Sequence, residues 1–212
     1  FVYKVSSKGA LQMLRGRSFY LEMLTETVID EILEFFSLTR CNLIYSGGGR
    51  FYLLLPNLRD LDQIVSRIRF ALDEFMLKHF GIDLYYAVDY VTASALDFGI
   101  SKEDYRDVNN LFIALSKKLA AGKVNRYEEE TLRSIFSKTE TEPGARECSV
   151  CGTQSNLSDT GNLGCICAVC MGLYEIGKAL VKKQNEVMTV EVTSREGQMP
   201  AFSMTGEKFI QM

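Results

Sequence analysis

Two short cysteine pairs constrain this chain more than any other feature. Cys148-Ser-Val-Cys151 and Cys167-Ala-Val-Cys170 both read C-x2-C, and 15 residues, 152–166, lie between them. Thiolates at this spacing sit on a tight knuckle and grip one ion together. Two knuckles supply the four-coordinate tetrahedron that zinc prefers. Gly152 and Gly172, just after the two pairs, suit the tight turns involved. We therefore expect one zinc ion on Cys148, Cys151, Cys167 and Cys170. Four thiolates leave no open position, so the site is structural, not catalytic. A region this short holds little core and would draw much of its folding energy from the metal. Cys165 is an alternative to Cys167 and would give C-x4-C with Cys170. Cys167 is preferred because it keeps the same spacing at both knuckles. Disulfides or buried free thiols are the competing readings.

Composition supports metal over disulfide. Five of the six cysteines fall between 148 and 170, and the chain shows no secretion signal. In a cytosolic setting clustered cysteines mean metal more often than disulfide. Hydrophobic residues make up 47% and charged residues 24% of the 212 residues, an ordinary globular balance. No apolar run approaches the roughly 18 residues of a membrane span. The expectation is a soluble, cytoplasmic chain with no membrane partner. Because it opens on Phe1-Val2-Tyr3-Lys4-Val5, which reads as a strand in progress, we take it as a piece of a longer protein.

The net charge of −3 argues against a wholly basic nucleic-acid coat. The distribution is uneven, however. Lys4, Lys8, Arg15 and Arg17 all precede the first acid, Glu22. Lys8, Arg15 and Arg17 are candidates for contacting phosphate or RNA; the alternative is an ordinary solvated helix start.

Hydrophobic spacing sets the elements. A long helix runs from about Leu11 to Phe36, with Leu21, Leu24, Val28 and Ile32 stepping by three or four. Cys41–Tyr45 and Phe51–Leu55 are β-prone runs around Ser46-Gly47-Gly48-Gly49-Arg50, a hairpin signal. Cys41 reads there as a small buried hydrophobe. A second helix, Asp60 to His79, carries Leu61, Ile64, Val65, Ile68, Leu72, Phe75 and Met76 and stops at Gly81. Leu84–Val88, extended to Val91, reads as a strand. This order of strand, helix, strand, strand, helix, strand is that of a ferredoxin-like fold, an antiparallel sheet with helices on one face. Polymerase and nucleotide-cyclase palms share it, as do many unrelated proteins. Residues 101–136 read as mostly helical, with a capping signal at Ser101 and Asp104 and an interruption at Gly122. A polar linker follows, then a helix over Leu173–Asn185 and a strand over Val187–Val192; the tail from Ser194 carries no pattern. The fold class is α+β: a palm over 1–98, a helical extension and linker over 99–140, and a small helical zinc-binding domain with a C-terminal strand over 141–212.

The glycine turn offers bare backbone amides and no side-chain bulk, so a phosphate or nucleobase can approach closely; a plain β-turn is the competing reading. It is no Walker loop, since a strand follows and no Lys-Ser or Lys-Thr is present. Neither Gly49 nor Arg50 is a carboxylate, and a hard cation needs oxygen ligands. His79, the single histidine, reads as a helix C-terminal contact. Asp89 faces either solvent or a ligand.

Three stretches together resemble a known family. They are Ser6–Leu11 running into Leu14-Arg15-Gly16-Arg17-Ser18-Phe19-Tyr20-Leu21-Glu22, then Ser46–Asn57, then the paired knuckles leading into Leu173–Gly177. They are similar to the large, polymerase-like subunit of type III-A CRISPR complexes. The resemblance covers most of the chain to about residue 180. It implies a larger RNA-guided antiviral protein with an HD nuclease domain, two palms and a zinc-bearing linker domain. In that family a Gly-Gly-Asp-Asp motif on the second palm makes cyclic oligoadenylates from ATP, and the first palm contributes to the ATP pocket. Carried over by motif, Ser46, Gly47, Gly48 and Gly49 would face ATP. Magnesium would come only with the second palm. The parent would be a nucleotidyltransferase and single-strand DNA nuclease, with guide RNA, other complex subunits and, indirectly, target RNA as partners. This chain has neither motif and alone should be inactive. A scaffold that docks guide RNA and neighbouring subunits, without binding a nucleotide, is the alternative.

Overall fold

A computed structural model of the chain describes residues 1–98, 105–137, 144–182, 189–195 and 199–211. They fall into two compact units, one of Phe1–Leu55 with Thr141–Met212 and one of Pro56–Glu140. Helix and small antiparallel sheets are mixed, which agrees with the α+β class.

The first unit is built on one long helix, α1, over Ala10–Phe35. Met13, Tyr20, Leu24, Val28, Ile29, Ile32 and Leu33 are buried, which is the apolar stripe that three-and-four spacing predicts. After α1 come β1, Leu43–Gly47, and β2, Arg50–Leu53, which pair antiparallel with Gly47 opposite Arg50. The loop is therefore Gly48-Gly49, with φ of 61° and 71°. Both central residues of this tight hairpin turn need positive φ, which glycine alone adopts freely. A bulge lies between Leu43 and Tyr45. Cys41 sits in a short 3-10 turn before β1 and is exposed, not buried as expected, because the strand begins two residues after it.

The far end of the chain packs on α1. The cysteine region forms β3, Leu157–Thr160, and β4, Gly164–Cys167, an antiparallel pair. Helix α5, over Ala168–Lys182, follows directly. It starts five residues before the expected Leu173, because the second knuckle is its first turn. α1 and α5 cross at two glycines. A Cβ on Gly16 would lie 1.8 Å from the Leu173 carbonyl oxygen, and one on Gly177 1.7 Å from that of Gln12. The backbones touch where side chains would ordinarily hold helices 8–10 Å apart.

The strand expected over Val187–Val192 is met by β5, Glu191–Thr193, with residues 187 and 188 outside the described ones. The tail from Ser194, unpatterned in the sequence, adds β6, Met199–Ala201, and β7, Lys208–Gln211, in an antiparallel sheet of order β5-β7-β6. Phe202 and Ile210 are buried. α1 holds this sheet by polar contacts as well. Tyr20 donates its hydroxyl to the Pro200 carbonyl at 2.6 Å, the Phe202 amide donates to Thr27 Oγ1 at 3.3 Å, and the Met204 amide donates to Glu31 Oε2 at 2.7 Å. Glu31, itself buried, is ion-paired to Lys208.

The second unit carries α2, Leu61–Phe80, with Leu61, Val65, Ile68, Leu72, Met76 and Phe80 buried on one face. Gly81 ends it, as predicted. α3, Tyr105–Val124, and α4, Glu129–Ser137, replace the one interrupted helix expected there. The Ser101–Asp104 capping signal and most of the linker lie outside the described residues. Two expected strands are not strands. Residues 1–5 form a turn closed by Lys4 N–H to Phe1 O at 3.2 Å, and Leu84–Val91 joins no ladder. The backbone there is engaged by side chains instead: Arg69 Nε donates to Val88 O at 2.7 Å and Lys118 Nζ to Tyr90 O at 3.0 Å.

Asp73, half-buried on α2, has its carboxyl pushed up to about 6, mainly by removal from water, with Arg69 pulling the other way. The fold thus favours protonated Asp73 over the ionised form that the unfolded chain prefers above its ordinary value of 3.8. The native state then holds the extra proton, so stability falls as pH rises from about 4 to about 6. We expect thermal melts of the chain to show this fall and Asp73→Asn to flatten it.

Candidate metal centre

The first knuckle is a backbone turn held on three sides. Cys148 N–H donates to Thr153 O at 2.8 Å, Gly152 N–H to Cys148 O at 2.9 Å, and Ser149 N–H to Cys165 O at 2.8 Å. The last of these ties the knuckle to β4. The second knuckle spans the junction where β4 ends at Cys167 and α5 begins. Cys170 N–H there points at Cys167 Sγ, 3.4 Å away. A free amide at a helix start favours negative charge on a thiol beside it.

These two turns bring four sulfurs together. Sγ of Cys148, Cys151, Cys167 and Cys170 all lie within 4.8 Å of one another, and three of the four residues are buried. The Cys151–Cys167 separation is 3.6 Å, far beyond the roughly 2.05 Å of a disulfide bond. Sulfurs about 2.3 Å from one central ion in a tetrahedron stand roughly 3.8 Å apart, so the observed spacing fits a shared metal. Cys165 is outside the group. The cluster that could hold a metal thus includes Cys167 and not Cys165.

The thiols are electrostatically interdependent. Hydrogen bonds from Cys167 and Cys170 hold the Cys151 thiol far below its ordinary range, and the same contacts push Cys167 and Cys170 up. The first thiolate is stabilised by its neighbours' protons, and each further one meets negative charge and burial. A cation in their midst would favour the thiolate form of these ligands.

Arg17 is a sequence candidate for contacting phosphate or RNA, the alternative being a solvated helix start. It is instead 2% exposed, inside the first unit. Its Nη2 donates to Cys170 Sγ at 3.3 Å and its Nη1 to Phe1 O at 3.2 Å. The expectation failed because α1 turns this position inward beside Gly16, against α5. Lys8 and Arg15 are exposed.

The glycine hairpin is a separate feature of the same unit. Gly48, Gly49 and Arg50 are exposed, and nothing lies within 4 Å of where a Cβ would stand on Gly48 or Gly49. At its base, Ser46 donates its hydroxyl to Glu26 Oε1 at 3.1 Å. Glu26 and Asp30 are both ion-paired to Arg40. Sequence reading missed this carboxylate beside the turn; it comes from α1, twenty residues upstream of Ser46. Asp89 in the second unit is ion-paired to Arg69 at 2.9 Å. It belongs to a cavity of about 460 Å³ also lined by Asp73, Tyr85, Lys118 and Tyr127. His79 packs on Phe75, with ring centroids 4.8 Å apart. No described helix is long and apolar enough to cross a membrane.

A helical scaffold beside four clustered thiols that could hold a metal ion, with an open glycine hairpin elsewhere, defines a module of mixed helix and sheet. Residues 1–139 match the family described as Csm1 subunit domain B, and the chain belongs to that family. The single-strand-specific deoxyribonuclease Cas10/Csm1 (subtype III-A) of Mycobacterium tuberculosis is 34% identical over 214 residues, 97% of this chain and 26% of that protein. The corresponding protein of Enterococcus italicus is 32% identical, over 94% of this chain and 25% of its own length. The chain thus spans about a quarter of these relatives. Among solved structures, a Csm1-Csm4 subcomplex of the type III-A CRISPR-Csm interference complex covers the whole chain with a TM-score of 0.67 at 21% identity, a likeness of fold. A Csm1-Csm4 cassette in complex with AMPPNP covers 66% of this chain and 19% of its own, with a TM-score of 0.54 at 29% identity.

Proposed function

We propose that this chain is the nucleotide-facing, non-catalytic palm and zinc-bearing segment of a type III-A CRISPR large subunit. In this reading residues 1–98 correspond, by chain order of elements, to a ferredoxin-like palm. Ser46, Gly47, Gly48 and Gly49 meet ATP that a second palm turns into cyclic oligoadenylates. The observation that carries this is the open tip of the hairpin. Backbone amides without side chains stand exposed there, able to approach a triphosphate. The hairpin itself brings no carboxylate, and Glu26 beside it is already paired to Arg40, so metal-assisted phosphoryl transfer falls to the other palm. Related Csm1-Csm4 cassettes have been solved with AMPPNP, with one ATP and with cA4, which supports a nucleotide role for the shared segment.

The metal is zinc, which favours four thiolates in a tetrahedron, and its part is structural. Guide RNA, a Csm4-like subunit and other members of the complex are the proposed partners, with Lys8 and Arg15 as the exposed cations nearest the start of α1.

Gly47→Val with Gly48→Val, in the full-length parent protein, tests the ATP role. A β-branched residue at the positive φ of Gly48 distorts the tip and fills it. We expect oligoadenylate synthesis to fall at least tenfold, with metal content and single-strand DNA cleavage retained. Unchanged synthesis would leave a scaffold role only.

A further inference from the structure

We infer that Arg17 is an outer-shell partner of the metal centre, donating to a metal-bound Cys170 thiolate and offsetting the charge of the four-cysteine site. A divalent ion with four thiolates carries two net negative charges, and burial makes that charge costly. Arg17 is the only buried cation among the described residues. Its Nη2 lies 3.3 Å from Cys170 Sγ, and its guanidinium carbon stands 4.7 Å from the centre of the Phe1 ring. Nε has no hydrogen-bond partner, and no carboxylate among the described residues is paired to this guanidinium. An arginine buried without a carboxylate is expensive unless another negative group answers it. The thiolate cluster is that group.

The neighbouring glycines explain how the contact is reached. Gly16 and Gly177 let α1 and α5 touch backbone to backbone, which puts the next residue of α1 within reach of the first turn of α5. The metal is thereby tied to two parts of the chain distant in sequence, its own knuckles and α1. A fixed planar donor suits this role better than the mobile ammonium of lysine. Groups that hydrogen-bond to metal ligands commonly raise metal affinity by about 10–100-fold.

This inference rests on the reading of the four cysteines as metal ligands, which the wild-type chain tests separately by taking up cobalt(II) with a tetrahedral thiolate spectrum. Arg17→Met and Arg17→Lys then test the inference itself. Two quantities are measured on the 212-residue chain: zinc affinity by chelator competition at fixed pH, and the sulfur-to-cobalt charge-transfer band. We expect affinity to fall about 10–100-fold in Arg17→Met and by less in Arg17→Lys. The band should move to longer wavelength in Arg17→Met, because a lost N–H···S bond raises the energy of the sulfur lone pair. It should move by a smaller amount in Arg17→Lys, whose mobile ammonium restores that bond only in part. If Arg17→Met does not fold, the band position and affinity of Arg17→Lys decide. Wild-type affinity and an unmoved band, even with a lowered melting temperature, would overturn the inference and leave Arg17 a packing residue.

Discussion

Gly16→Ala is expected to destabilise the chain by about 3 kcal/mol or more, at the upper end of what overpacking costs. The added methyl would sit 1.8 Å from the Leu173 carbonyl oxygen, and the obstacle is backbone on both sides. No rotamer change can relieve it, so α1 and α5 must move apart. For a chain of this length the fall in Tm should be roughly 6–12 °C. Gly177→Ala should behave alike, since its methyl would lie 1.7 Å from the Gln12 carbonyl oxygen. The double variant should cost less than the sum, because both changes force the same separation. Gly122→Ala is the control. It lies in α3 with nothing within 4 Å of its Cβ position. There alanine's better helix propensity should stabilise by about 0.5–1 kcal/mol. Thermal or urea unfolding of the four variants checks these expectations. Equal effects of Gly16→Ala and Gly122→Ala would mean that the helices do not cross at the glycines.

The second large effect concerns the metal. Binding energies for a structural zinc run to about 10–16 kcal/mol in small zinc-dependent folds, as much as the whole stability of an ordinary domain. Cys148, Cys167 and Cys170 are members of one buried cluster with Met13, Leu163 and Ile166, so an ion held by these thiols would sit within that core. Chelation, or Cys170→Ser, should therefore lose the packing of α5 on α1. Proteolysis should then open the region around residues 144–182 and the adjoining face of α1. Cys41→Ser, at an exposed cysteine outside the cluster, should change neither metal content nor stability measurably. Circular dichroism and limited proteolysis with and without chelator read these outcomes.

The parts of this fold legible in the sequence were those with local causes. The buried stripe of α2 repeats at helical spacing and stops at a glycine, and the hairpin announces itself by β-prone runs around glycines. The cysteine cluster follows from spacing, and only the choice between Cys165 and Cys167 as its member needed three dimensions. What escaped was decided at a distance. Arg17 lies in a basic run and reads as a surface charge; its burial depends on a contact with Cys170, 153 positions away. Gly16 and Gly177 each look like weak points in a helix, and their purpose appears only when the two helices are laid together. The strand β6 carries no alternation because Met199, Pro200 and Ala201 are all buried. A run buried on both faces has no period to read. The segment Leu84–Val91 shows the opposite failure: strand-forming composition, but backbone groups engaged by Arg69 and Lys118 in place of a neighbouring strand.

The measurement that bears most directly on the metal claim is the ratio of metal to protein in the purified chain, determined by mass spectrometry for the wild type, Cys165→Ser and Cys167→Ser. One zinc per chain in the wild type and in Cys165→Ser, with a marked loss in Cys167→Ser, is the predicted result. A wild-type chain without metal, or one that loses it on substitution of Cys165 and keeps it on substitution of Cys167, would contradict the account.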